Sequence, residues 1–152
     1  MLRLDLILKE FSVTTSTALL GIMPDGSYEL LPLNSDSSPD NSLVHILVSL
    51  KPGVASSSEL GGSEALSTRV GVWIITQSLP KKMPVGDGLL TAAILEDVFR
   101  RQTLATEQCS VICEESYTED RGTDPDTGRY LIQTTIPWHV VYEGQHQGIR
   151  RT

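Results

Sequence analysis

The side chains with reactive potential crowd into one stretch. Between positions 114 and 126 lie Glu114, Glu115, Glu119, Asp120, Asp124 and Asp126, against the single base Arg121. Alternating acids bind calcium when they follow the ligand spacing of an EF-hand loop. Asp124-x-Asp126-x-Gly128 opens such a frame. The next ligand then falls on Gly128, the required glycine on Arg129, and the closing bidentate glutamate on Thr135. A start at Asp120 puts Gly122 where the second ligand belongs. The spacing therefore excludes that loop. Paired carboxylates also serve hydrolysis, but only where an apolar pocket raises the pKa of one of them. EDRGTDPDTG, residues 119–128, supplies no such pocket and is expected as the exposed tip of a hairpin.

The other candidates thin out in the same way. His45 sits alone on an apolar strand and His139 beside Trp138, whereas a general base needs a partner within reach. His146 lies in the terminal GQHQGIRRT, and residues 144–152 are expected to be a flexible tail. Cys109 and Cys113 are read onto one strand, where same-face residues four apart lie roughly 13 Å from each other. That is too far for a disulfide. With no histidine nearby, zinc is not expected either. Ser63 in GGSEAL lacks the frame of a nucleophile elbow, and no phosphate-binding loop follows it. No cofactor, metal or catalytic set is predicted, and the chain reads as a non-enzyme.

The elements that must position these residues are clearest at the end. In GRYLIQTTIPWHVVYEG, residues 128–144, the even positions Tyr130, Ile132, Thr134, Ile136, Trp138, Val140 and Tyr142 form one face at period two. That alternation predicts a long strand buried on one side, with a bend at Pro137. LVHILVSL, residues 43–50, and RVGVWIITQ, residues 69–77, predict two more strands. KPGVASSSELGGSEALST, residues 51–68, reads as a long flexible connection between them. A helix is predicted from Gly88 to about Gln102, with Asp87 as its N-cap and an apolar face of Leu90, Ile94 and Val98 in one line with Leu89, Ala93, Leu95 and Phe99 beside it. Residues 108–118 predict another strand, with Cys109, Val111 and Cys113 facing inward.

The start is ambiguous. Leu2, Leu4, Leu6 and Leu8 alternate as in a strand, while Leu4, Ile7, Leu8 and Phe11 fit a helical stripe. A short helix is favoured, and the Ser-, Thr- and Val-rich stretch from Phe11 to Thr17 does not itself read as helix. Pro24-Asp25-Gly26 marks a turn, Tyr28 to Leu33 a possible short strand, and NSDSSPDN, residues 34–41, an exposed loop. The fold class expected is α+β. It has a mostly antiparallel sheet, one principal helix on one face, a long hairpin arm and a long C-terminal hairpin.

The 152 residues fit a single domain with a core of its own. No apolar run is long enough to cross a membrane. The first residues are too interrupted by Arg3, Asp5 and Lys9 for a signal peptide, so a soluble, unexported protein is expected. The net charge of −7 and the lack of a basic stripe argue against sequence-specific DNA binding.

The order of these stretches resembles the tail-terminator proteins of long-tailed bacteriophages, the lambda-type family. LVHILVSL, KPGVASSSELGGSEALST, RVGVWIITQSLP, GLLTAAILEDVFRR and SYTEDRGTDPDTGRYLIQTTIPWHVVYE match its strand, extended loop, strand, helix and acidic-tipped hairpin. The likeness covers residues 43–143 and rests on pattern and order, closing on Tyr142-Glu143. The family opens with an amphipathic helix, and here residues 1–20 depart from a clear one.

The resemblance implies a structural protein of the virion neck, assembled in the host cytoplasm. Copies would form a ring, hexameric in the family, that caps the tail tube, stops its polymerisation and meets the head-completion proteins. DNA would pass through without being read. Ring contacts are then expected on the 51–68 loop through Lys51, Ser63 and Glu64, on the helix, and on the acidic tip through Glu119, Asp120, Asp124 and Asp126. Another head–tail connector, or a small hydrolase or ligand-binding domain, are the alternative readings.

Overall fold

The computed structural model describes residues 1–31, 42–57 and 66–143. Helix α1 (Leu4–Ile22) is followed by strands β1 (Tyr28–Leu31), β2 (Val44–Ser57) and β3 (Leu66–Leu79). Helix α2 (Val85–Phe99) comes next, then β4 (Thr103–Ala105), β5 (Ser110–Cys113), β6 (Tyr117–Thr123) and β7 (Tyr130–Glu143). The strands form one mixed sheet in the order β1-β2-β3-β7-β5-β4, and β6 also pairs with β7. β1 runs parallel to β2, and the other pairings are antiparallel. The class is α+β.

The sheet is built on β3 and β7, which pair without a register shift from Leu66↔Glu143 to Leu79↔Tyr130. Period-two alternation decides which way their side chains point. Ile132, Thr134, Ile136, Trp138, Val140 and Tyr142 on β7 are buried, as are Trp73, Ile75, Gln77 and Leu79 on β3. Both helices pack on that face. The bend expected at Pro137 does not break β7. The interruption falls on its neighbour, between Cys113 at the end of β5 and Tyr117 at the start of β6. The Pro137 carbonyl accepts from the Glu114 amide at 2.8 Å, so the proline's missing N–H faces the same interrupted edge.

The chain holds two tryptophans and two phenylalanines, and all four meet in one cluster. Phe11 of α1 stacks on Trp73 at 5.3 Å and on Phe99 of α2 at 5.9 Å, with Trp138 tilted against it at 6.3 Å. Gly71, opposite Trp138 in the ladder, makes the room. A Cβ there would lie 2.4 Å from Trp138 Cζ2 and 2.8 Å from the Lys51 carbonyl.

The helices correct two expectations. There are two of them among the described residues, and α1 runs straight through residues 11–17 for a total of 19 residues. Serine, threonine and valine are weak helix formers, so packing must override propensity here. Ile7, Phe11, Thr15 and Leu19, spaced by four, form the buried line. The Trp73 indole N–H donates to Thr15 Oγ1 at 2.9 Å, which satisfies that buried hydroxyl.

Helix α2 begins at Val85 with Pro84, not Asp87, in the cap position. Asp87 instead lies in the first turn, where its charge suits the helix dipole. Its buried line is Gly88, Thr91, Ala92, Leu95 and Phe99. Leu90 and Ile94, expected inside, point to solvent with 62% and 37% exposure. Small residues choose the face. A Cβ at Gly88 would lie 2.6 Å from Leu79 Cδ1 and 2.8 Å from Ile132 Cδ1. Gln77 Nε2 donates to the Gly88 carbonyl at 3.0 Å, which fixes the approach.

The connection expected over 51–68 is largely strand. β2 continues to Ser57 and β3 starts at Leu66, with a register shift between Pro52 and Ala55. Arg69 Nε donates to the Gly53 carbonyl at 2.7 Å across that shift. Since β7 follows β3 to Glu143, the arm has three strands. Residues 58–65 lie outside the described residues, as do the 34–41 loop and the 144–152 tail.

Replacing Phe11→Ala is expected to cost about 3–5 kcal/mol in urea unfolding, the range for emptying an aromatic core site. Leu90→Ser is expected to stay within about 0.5 kcal/mol, as for an exposed position. Equal losses at the two sites would contradict the assigned face of α2.

Candidate functional site

The acidic residues do not converge. Glu119 and Asp120 belong to strand β6, opposite Gln133 and Ile132, and not to the tip. The tip is shorter than expected: Gly128 N donates to the Asp124 carbonyl and Asp124 N to the Arg129 carbonyl, both at 2.7 Å. Gly128 adopts a φ of 72°, which favours glycine. Asp124 Oδ1 accepts from the Asp126 amide at 2.9 Å, a local turn bond. Asp120 Oδ1 accepts from Gly122 N at 2.9 Å, and its Oδ2 accepts from the Tyr130 hydroxyl. That bond, followed by burial, raises the Tyr130 pKa. Two of the four predicted acids thus shape the hairpin itself.

Lys51 is exposed on β2, opposite Val72, which in turn faces Pro137. Glu119 faces Gln133 on the other edge of β7, a different row of the sheet. The structure therefore separates Lys51 from the acids. Ser63 and Glu64 lie outside the described residues. Among the described residues no group of three or more His, Cys, Asp or Glu is placed to hold a metal. No helix among them is long and apolar enough to cross a membrane.

The two described histidines lie on the sheet face away from the helices. His139 Nδ1 is 3.2 Å from Glu114 Oε2, and no nucleophilic hydroxyl or thiol joins that pair among the described residues. His45 is buried beside a broad concavity of about 1190 Å³, which Arg129, Lys81 and Asp124 also line. Sequence reasoning missed Arg129. Its Nε donates to Ser78 Oγ at 2.8 Å, and its Nη2 donates to the carbonyls of Ser78 at 2.7 Å and Leu43 at 2.6 Å. Burial lowers its pKa, but a guanidinium stays charged and its planar fork fits several acceptors at once. This clamp ties the start of β7 to the end of β3 and the entry to β2. The signal was a lone arginine between a turn glycine and an apolar run, which is too weak to read.

What the described surface offers instead is apolar area on two opposite sides. Leu90 and Ile94 stand out on the helix layer. On the sheet face away from the helices, Val70, Ile112 and Val141 are 46%, 41% and 47% exposed. The edge of β2 beyond Leu47 has no partner strand among the described residues. Open edges and apolar patches on a domain of this kind suit association with other chains.

Arg129→Lys is expected to lower stability by about 1–3 kcal/mol, because lysine leaves some of those acceptors unpaired. Denaturant unfolding measures it, and an unchanged midpoint would contradict the clamp. A second expectation concerns Cys113, whose thiol burial pushes from 9.0 up to about 12. The folded chain keeps a proton that the unfolded chain gives up, so this contribution is complete below the unfolded pKa. It is lost as pH rises from about 9 to about 12. Stability should therefore fall less steeply above pH 9 in Cys113→Ala than in the native chain. Parallel slopes in urea titrations would contradict that.

No family model matches the chain, and no curated protein matches it. A solved structure of 14% identity superposes with a TM-score of 0.69, covering 92% of this chain and 96% of that one. At that identity the likeness shows the fold alone: an α+β domain matched over nearly its whole length.

Proposed function

We propose that this chain is the tail terminator of a long-tailed bacteriophage. On this reading it acts by shape. Copies close into a ring on the last ring of the tail tube, stop its growth and present a face to the head-completion proteins in the virion neck. No substrate is turned over, and DNA passes through the ring unread.

The observation that carries this reading is the order of elements: helix, strand, long hairpin arm, helix, two short strands, then a long acidic hairpin ending the fold. It follows the pattern of that family, including an opening helix where the sequence was ambiguous. The antiparallel character of the sheet's long hairpins belongs to the same pattern. The apolar surfaces on opposite sides add support, because a ring needs two different complementary patches on each copy. An acidic hairpin suits a channel that DNA must traverse, since attraction to phosphates needs positive charge.

Sedimentation or mass photometry of the purified chain tests this. Discrete particles of several copies are expected at high concentration or on addition of tube protein. A strict monomer under both conditions would overturn it.

A further inference from the structure

On the sheet face away from the helices, the half around His45, Ser78 and Arg129 is buried, whereas the half that carries Val70, Ile112 and Val141 is exposed among the described residues. This exposed, upper half follows from the register. One row runs from Lys51 through Val72 and Pro137, and the Glu114 amide bonds to the Pro137 carbonyl at 2.8 Å. The next row joins Val70, His139 and Ile112, and Val141 lies beyond it. The exposed part is mostly aliphatic, with Lys51 at the β2 margin and, at the β5 margin, the half-exposed Glu114, whose Oε2 lies 3.2 Å from His139 Nδ1. Those margins are three interstrand steps apart, about 14 Å.

The opposite side of the domain carries the matching half. Helix α2 is apolar on both faces, a pattern that in a soluble protein goes with cover on both sides. Its outward stripe holds Leu90 and Ile94. Asp87 sits in its first turn, and Arg100 follows its last residue, both exposed. Thirteen residues of helix span about 20 Å. Long side chains bridge the difference between that length and the width of the bare row. A helix crossing the strands can thus set Asp87 against Lys51 and Arg100 against Glu114.

We propose that the outward stripe of α2 in one copy packs on the bare upper sheet face of the next copy. The occupant is a second copy because charge at both ends fits, and because each surface lacks the layer that the other provides. The two patches lie on opposite sides, so the contact is heterologous and repeats in one sense around a ring. This rests on the self-association reading and names the contact that builds it.

The test uses the full chain with Cys109→Ser, which leaves only the buried Cys113. Val70→Cys and Ile94→Cys are made separately and oxidised alone and mixed. Disulfide-linked pairs are expected in the mixture and not in either variant alone. Pairs formed by one variant alone would mean a symmetric contact and overturn the proposal. No pairs in a mixture that still forms multi-copy particles would overturn this contact while leaving the ring reading intact. A mixture that stays monomeric throughout would overturn both. As a second measurement, Ile94→Glu should keep its far-ultraviolet circular dichroism and need at least about tenfold more protein for half-assembly, a shift of about 1.4 kcal/mol. Unchanged assembly would also overturn the contact.

Discussion

The packing of Phe11 between Trp73, Phe99 and Trp138 is the constraint on which the rest depends. It spends every tryptophan and phenylalanine of the chain at one crossing of two helices and two strands. Large rings bury the most area per residue, and a small core gains most when they share one site. Gly71 exists in this scheme to let Trp138 lie flat across β3. Because both helices are drawn to that cluster, they cover one face of the sheet and leave the other open. Which apolar side chains stay exposed is thus a consequence of how the core is filled.

The sequence announced some of this more clearly than the rest. The alternation from Tyr130 to Tyr142 was legible because one face of β7 is buried along its whole length. The strand over 69–77 was legible from the same kind of pattern, though not that Trp73 and Ile75 mark its buried side. Helix α1 was not, since residues 11–17 have poor propensity and are held by contacts distant in sequence, among them Thr15 with Trp73. The face of α2 was read in part: Leu95 and Phe99 are buried as expected, but Leu90 and Ile94 are not, because apolar residues lie on both sides and blur the periodicity. Gly88 and Ala92 decide it through close approach. Residues 51–57 looked like a linker because they carry few apolar side chains. They are strand because β3 offers backbone partners on both sides of the register shift between Pro52 and Ala55.

The candidate surface was legible only in part. Lys51 is exposed on β2, whereas Asp120 and Asp124 hold the geometry of their own hairpin. Acidic character was easy to count, but what each carboxylate binds depends on bulge and turn geometry that composition does not encode. Arg129 shows the converse. A single buried guanidinium joins three strands, and nothing in its immediate neighbours advertised it.

The functional reading treats the chain as a plate that ends a tube, with no chemistry of its own. The most direct test of that proposal is the length of tails assembled when the reading frame for this chain is disrupted in the bacteriophage that would encode it, measured by negative-stain microscopy. Overlong tails, restored to one defined length when the chain is supplied again, are the predicted result. Tails of normal length without it would contradict the account.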